Sequence, residues 1–344
     1  MSDIKLVDVQ RSTGTPRPGT PRAATSRALG WAALIAVWFL WGSTYDAIRI
    51  GVRDMPPLIF AGTRYLIAAA ILFPIAVRGQ QPGERRFTRA NWRGAAVVGA
   101  LMLFGGNGLV SVGEQRLGAG IAALLVATVP LWLVVFDALG RRAMIRPMVA
   151  AGLELGLAGV AMLVHPTAAQ RLNPLDVAIV LTASVSWAAG SLYSKKAPQP
   201  RQAFLGTAMQ MFAGGLVLLG AATVSGEWAR LDAGRLSWAT VAALGWLAVP
   251  GSIVALTAYI YALRALPTST TSTYAYVNPI IAVLIGWPLL GERPTVQTIA
   301  AGAIIVAAVA LILRSSARTG TSSARTGGAG ARTGAAAGGV THDG

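Results

Sequence analysis

The 344-residue chain has no cysteine, which rules out disulfides and thiolate metal sites. Its two histidines, His165 and His342, are too few to make a ligand cluster. Charge is scarce: 12% of residues are Asp, Glu, Lys or Arg, about half the share of an ordinary soluble domain. Apolar residues fill the space, at 54% of the chain. They come in blocks of roughly 18 to 24, each long enough to cross ~30 Å of hydrocarbon as a helix. A membrane strand would need only ~9 to 11 residues of alternating character, so the fold class read here is an all-α membrane protein.

The blocks place ten transmembrane helices near residues 30–52, 57–77, 92–112, 117–139, 148–165, 174–194, 203–224, 237–262, 268–290 and 295–314. Residues 1–29 read as a retained polar cytoplasmic tail, because the apolar run that follows is longer than a secretory signal's. Residues 315–344 repeat Ala-Arg-Thr-Gly at Ala317, Ala324 and Ala331 and read as a disordered cytoplasmic tail. A net charge of +16 suggests nucleic acid until its placement is examined. With the amino terminus inside, 21 of the 29 Lys and Arg fall on the cytoplasmic side, six outside, and Arg49 and Arg64 within helices. That bias orients both termini inward and accounts for the basic charge as topology, without a nucleic-acid partner.

A shift of about 146 to 150 residues brings the two halves of the chain into register. Trp41 falls on Trp187, Arg64 on Gln210, Pro130 on Pro279, and Ala150-Ala151-Gly152 on Ala300-Ala301-Gly302. The halves are residues 30–166 and 174–314, five helices each. An odd number of spans makes the second copy inverted relative to the first. Inverted repeats are the basis of alternating access in secondary transporters, and a duplicated anchor without transport is the plain alternative.

Several stretches carry a resemblance. They include Trp41-Gly42-Ser43-Thr44, Arg49-Ile50-Gly51, Pro56-Pro57, Ala61-Gly62-Thr63-Arg64-Tyr65, Asn107-Gly108-Leu109 and Gly113-Glu114-Gln115. Further along come Ala127-Thr128-Val129-Pro130, Asn278-Pro279 and Leu290-Gly291-Glu292-Arg293-Pro294. Together they resemble the EamA family of the drug/metabolite transporter superfamily over residues 30–314. The resemblance implies a ten-helix carrier in the cytoplasmic membrane, both termini inside, with members that typically export amino acids, metabolites or drugs.

Ionisable groups inside a bilayer cost ~2.5 to 3.5 kcal/mol each on insertion scales, so each needs a partner or a job. Asp46 and Arg49 share one face of the first helix, and Arg64 lies roughly 10 Å below the outer end of the second. They are expected to form a charge cluster near an outer gate, with Asp46 a proton-coupling group or a static salt-bridge partner. Asp137 and Glu154 lie near Arg141, Arg142 and Arg146, where snorkelling and local pairing are expected. Glu114 and Glu292 fall at outer helix ends, positions that suggest turn-shaping or water contact. Polar and aromatic wall candidates are Trp41, Ser43, Asn107, Thr128, Ser184, Trp187, Tyr193, Tyr259, Tyr274, Tyr276 and Asn278. Pro130 and Pro279 occupy equivalent places and each frees a backbone carbonyl, as hinges do. Gly152, Gly156, Gly159 and Gly302 mark a close helix contact, either between the repeats or in a homodimer.

No nucleophile with a base, metal-ligand set or Walker-type loop is present, so neither an enzyme nor an ATP-driven pump is indicated. Polar groups are too scattered for a channel's continuous stripe. The reading is a secondary carrier without a bound cofactor, an exporter first, an importer second, a membrane enzyme or scaffold a distant third.

Overall fold

The computed structural model describes residues 21–79, 88–141, 147–164, 172–200, 202–266, 271 and 273–311. Both histidines, the tail beyond residue 311, and the side chains of Asp137, Arg141, Arg142, Arg146 and Tyr276 lie outside the described residues. Among them there is no strand.

Among the described residues seven helices are long and apolar enough to cross a membrane: α1 (Arg27–Asp54), α2 (Pro57–Arg78), α3 (Arg89–Gly113), α4 (Ala119–Gly140), α6 (Pro174–Ser194), α7 (Ala203–Val224) and α8 (Trp238–Ala262). Between and after them lie α5 (Pro147–Val164), α9 (Tyr274–Leu290) and α10 (Val296–Leu311), whose apolar stretches are shorter. Each coincides with an apolar block of the sequence.

Local chemistry sets the helix starts. Thr88 and Asn91 close a capping box on α3, Asn173 accepts from the Leu175 amide before Pro174, and Ser237 accepts from the Thr240 amide at the head of α8. Gly291, at φ 72°, ends α9 in the left-handed region that a glycine adopts without strain.

Two further caps come from distant residues. Glu227 Oε2 accepts the backbone amides of Leu58 and Ile59, each at 3.0 Å, and so caps α2 from the α7–α8 connection. Asp54, at the end of α1, accepts from the Ser237 amide and from the hydroxyls of Ser237 and Thr240 at the head of α8. Each carboxylate sits at a helix N-terminus, where the dipole favours negative charge. The α1–α2 and α7–α8 connections are thereby tied at one end of the bundle.

Helix α2 packs along α7, α1 against α8 and α9, and α3 and α4 against α6. Renaming each helix by its counterpart five places along the chain maps these pairs onto themselves. Small residues make the close crossings possible: a Cβ on Gly62 would lie 3.2 Å from the Gly215 carbonyl, and one on Gly215 would lie 3.2 Å from that of Gly62. Gly159 meets Ile305 and Gly156 meets Leu131, so this small-residue face of α5 is used within the chain, against α10 and α4.

Four places depart from regular α-helix. Helix α1 is interrupted at Ser43 and α4 at Ala127-Thr128. Residues Gly99–Gly108 of α3 and Leu247–Val254 of α8 are wound as π-helix, and the two stretches begin at the offset that aligns the halves in the sequence. Insertions of this kind concentrate at functional sites.

Replacing Glu227 by Ala removes the acceptor from two buried amides. The expected loss is about 1–3 kcal/mol, measured as a lower detergent midpoint in unfolding by sodium dodecyl sulfate. The arrangement of caps would be misread if that midpoint were unchanged.

Candidate functional site

The tied end of the bundle also gathers a group of charges, of which Asp46, Arg64 and Glu114 are buried and Arg49 and Glu292 half-buried. Asp46 and Arg49 lie on the second piece of α1, Arg64 one to two turns into α2, Glu114 just past α3, and Glu292 just past α9. Arg64 is buried, its guanidinium 4.3 Å from the centre of the Tyr65 ring. It donates to the Tyr65 hydroxyl and, at 2.9 Å, to Asn107 Oδ1 from the π-wound part of α3. Arg49 pairs with Glu292 at 3.6 Å and donates to the backbone carbonyl of Glu114.

The expected cluster of Asp46, Arg49 and Arg64 is gathered at one end, but its pairing differs. Asp46 makes no ion pair with either arginine among the described residues. Both its carboxylate oxygens are buried without a hydrogen-bond partner, and the residue is 1% exposed. Arg49 instead reaches across to Glu292, so the i, i+3 relation on α1 is not used.

Glu114 neither meets water nor merely shapes a turn. It is 0% exposed, and neither carboxylate oxygen has a partner. Burial pushes its carboxyl well above the usual glutamate range, the negative charges of Asp46 and Glu292 push the same way, and Arg49 and Arg64 oppose them. A Cβ on Gly286 would lie 2.9 Å from Asp46 Oδ1 and 3.6 Å from Glu292 Oε2, and one on Gly118 would lie 2.7 Å from Glu292 Oε2. The two glycines make the space in which the carboxylates sit. Beside them is a pocket of about 320 Å³, lined in part by Arg49, Gly118, Glu292 and the exposed Arg293.

The other sequence candidates are distributed away from this cluster. Trp41, Tyr259 and Tyr274 pack together, with ring centres 5.0 to 5.7 Å apart. Ser43 accepts from the Trp246 indole at 3.0 Å, which joins the interruption of α1 to the head of the π stretch in α8. Asn278 is buried with its Oδ1 unpartnered, beside Gly42 of α1, where a Cβ would lie 3.3 Å from its carbonyl. Thr128 bonds the Leu125 carbonyl within the interruption of α4, and Ser184 of α6 bonds the same carbonyl. Trp187 packs on Gly106, where a Cβ would come within 2.7 Å of the ring. Tyr193 is exposed. Pro130 opens the second piece of α4, a natural helix start, whereas Pro279 lies inside the continuous α9.

Comparison with known proteins gives a consistent picture. A model of the EamA-like transporter family matches residues 28–165 and again residues 175–314. The chain is 40% identical over 280 residues to the "Uncharacterized inner membrane transporter YedA" of Escherichia coli (strain K12), covering 80% of this chain and 88% of that one. It is 25% identical over 283 residues to the "Uncharacterized transporter YoaV" of Bacillus subtilis (strain 168), covering 79% and 92%. A protein of known crystal structure, 19% identical, has the same fold at a TM-score of 0.53, covering 84% of this chain and 96% of its own.

The raised Glu114 carboxyl has a consequence for stability with a definite sign. A folded-state pKa above the unfolded value means the native state holds its proton more tightly, so the contribution is full below about pH 4.3 and is lost as pH rises through the elevated value. Thermal unfolding in detergent should therefore show stability declining with pH above that range. Glu114→Gln should flatten the decline; an unchanged slope would exclude Glu114 as its source.

Proposed function

The chain belongs to the EamA-like transporter family, and on that premise we propose that it is a secondary carrier working by alternating access. Its ten helices form two inverted five-helix repeats, with both termini cytoplasmic. Its cargo is a small charged or amphipathic solute, an amino acid, related metabolite or drug, and its direction is export. The twofold match of the family model, the self-mapping helix pairs and the paired π stretches support the repeat. The arginine distribution supports the orientation. The name of the Escherichia coli relative supports the inner membrane as its place.

One observation carries the carrier reading: the ion pair between Arg49 of the first half and Glu292 of the second, set over buried charges at one end of the bundle. An ion pair between two units that rock against each other is a reversible latch. In this reading Arg49–Glu292 closes the outer gate, and Trp41, Tyr259 and Tyr274 close the cytoplasmic side. Asp46, Arg49, Arg64 and Asn107 meet the charged part of the solute. Thr128, Trp187, Tyr274 and Asn278 line its path, and Pro130 and Pro279 flex α4 and α9. No cofactor or catalytic step is required.

Purified protein in liposomes, offered a panel of amino acids and cationic amphiphiles with and without a pH gradient, should move at least one of them. Arg64→Ala should lower that flux at least tenfold; absence of flux for every solute would overturn the carrier.

The latch has its own test, helped by the lack of native cysteine. Gly118→Ala puts a methyl 2.7 Å from Glu292 Oε2 and should dislodge that carboxylate from Arg49. A single cysteine at buried Ser111 should then react severalfold faster with a membrane-impermeant maleimide applied outside. Equal rates would mean that Glu292 holds nothing shut.

A further inference from the structure

The charge balance of the outer cluster does not close. Three carboxylates, Asp46, Glu114 and Glu292, face two guanidiniums, Arg49 and Arg64, whose contacts among the described residues go to Glu292, the Glu114 carbonyl, Tyr65 and Asn107, while Arg49 Nε and Arg64 Nε have no hydrogen-bond partner. Arg49 is held by Glu292 and the Glu114 carbonyl, and Arg64 by Tyr65 and Asn107. Asp46 and Glu114 are left at 1% and 0% exposure with all four oxygens unpartnered. A buried carboxylate without partner or water is far more costly than a neutral carboxylic acid in the same place.

We propose that Asp46 and Glu114 together form a binding site for one proton, held on either carboxyl, and that this proton is the ion whose movement drives the carrier. The site is built for a single proton. With all five groups ionised the cluster carries one negative charge too many, and one proton brings it to neutrality. A second would leave a guanidinium uncompensated. The ionised member of the pair favours the neutral form of the other, so the two titrate as one unit. A metal cation fits poorly, because two guanidiniums already occupy the neighbourhood and would repel it.

The surrounding groups agree with this assignment. Around the pair stand Tyr45 and Arg49 from α1, Arg64 and Tyr65 from α2, and Glu292 beyond α9. Asp176 at the head of α6 is committed to Arg116 at 3.3 Å. Among the described groups there, the carboxylates are the ones able to hold the proton, the others being tyrosines and arginines. Glu292 also supplies the route. It lines the pocket that reaches exposed Arg293, and across Gly286 it borders Asp46 Oδ1. A proton arriving from outside water passes to the Glu292 carboxylate and then to Asp46 or Glu114. The transfer moves one proton and breaks no other bond. While Glu292 carries the proton in transit it no longer attracts Arg49 as an ion, so the passage of the proton loosens the latch, which forms again once the proton has reached Asp46 or Glu114.

The role as coupling ion rests on the carrier reading; the proton site itself does not, and the test separates them. Infrared difference spectra of the purified full chain, recorded as the pH is stepped upward from about 6, where exposed carboxylates are already ionised, report the remaining protonated carboxyls through their C=O stretch. Wild type should show one titrating band that is absent in Asp46→Asn and absent in Glu114→Gln, since one proton is shared. A band that persists in both variants, or is merely halved in each, overturns the shared site. Where one amide variant fails to fold, the other decides alone, because each should abolish the band. In liposomes, solute flux that responds to an imposed pH gradient in wild type should lose that response in the folded variant. Flux that keeps its response overturns the coupling role, while a wild type without flux overturns the carrier and leaves the spectroscopic result standing.

Discussion

An apolar bundle offers no water to an ionised side chain, and the arrangement at the charged end of this protein follows from that constraint. Five ionisable groups are drawn together because each is less costly beside the others than alone. They come from α1, α2, the end of α3 and the end of α9, so satisfying them means holding both halves of the chain in one position. The arginines are pinned by neighbours of the opposite half or of π-wound backbone, and the carboxylates take the space that Gly118 and Gly286 leave empty.

The caps at that end follow the same logic. Glu227 is a buried carboxylate that would be costly in isolation and Asp54 a more exposed one, and each accepts from the donors of a helix start belonging to the other half. Elsewhere the halves are joined by shape, with backbone against backbone at Gly62 and Gly215.

Much of this was legible in the sequence, for identifiable reasons. The helices were legible because a block of twenty apolar residues admits few alternatives. Asp46, Arg49 and Arg64 were legible because a charge within such a block is conspicuous. Glu114 and Glu292 read as turn-shaping or water-contacting groups, because they sit at turns, where a polar residue is ordinary, and only the fold brings them to Asp46 and Arg49. The three-residue spacing of Asp46 and Arg49 suggested a pair that the structure does not make, because Glu292 lies within reach of the guanidinium. Pro130 and Pro279 looked alike in the sequence, yet one begins a helical piece and the other lies within a continuous helix.

The π-wound stretches had no sequence signature, since every periodicity argument assumes a regular turn. Over Gly99–Gly108 and Leu247–Val254 the angular advance per residue is smaller than in an α-helix. Side chains before and after each stretch consequently belong to different helical wheels. Asn107 faces Arg64 from within the first of these stretches, and a single-residue deletion there would turn it away while leaving the amino-terminal half of α3 in phase. Evolution can therefore re-aim the lining of one end of α3 or α8 without disturbing the other, a freedom that a uniform helix would deny.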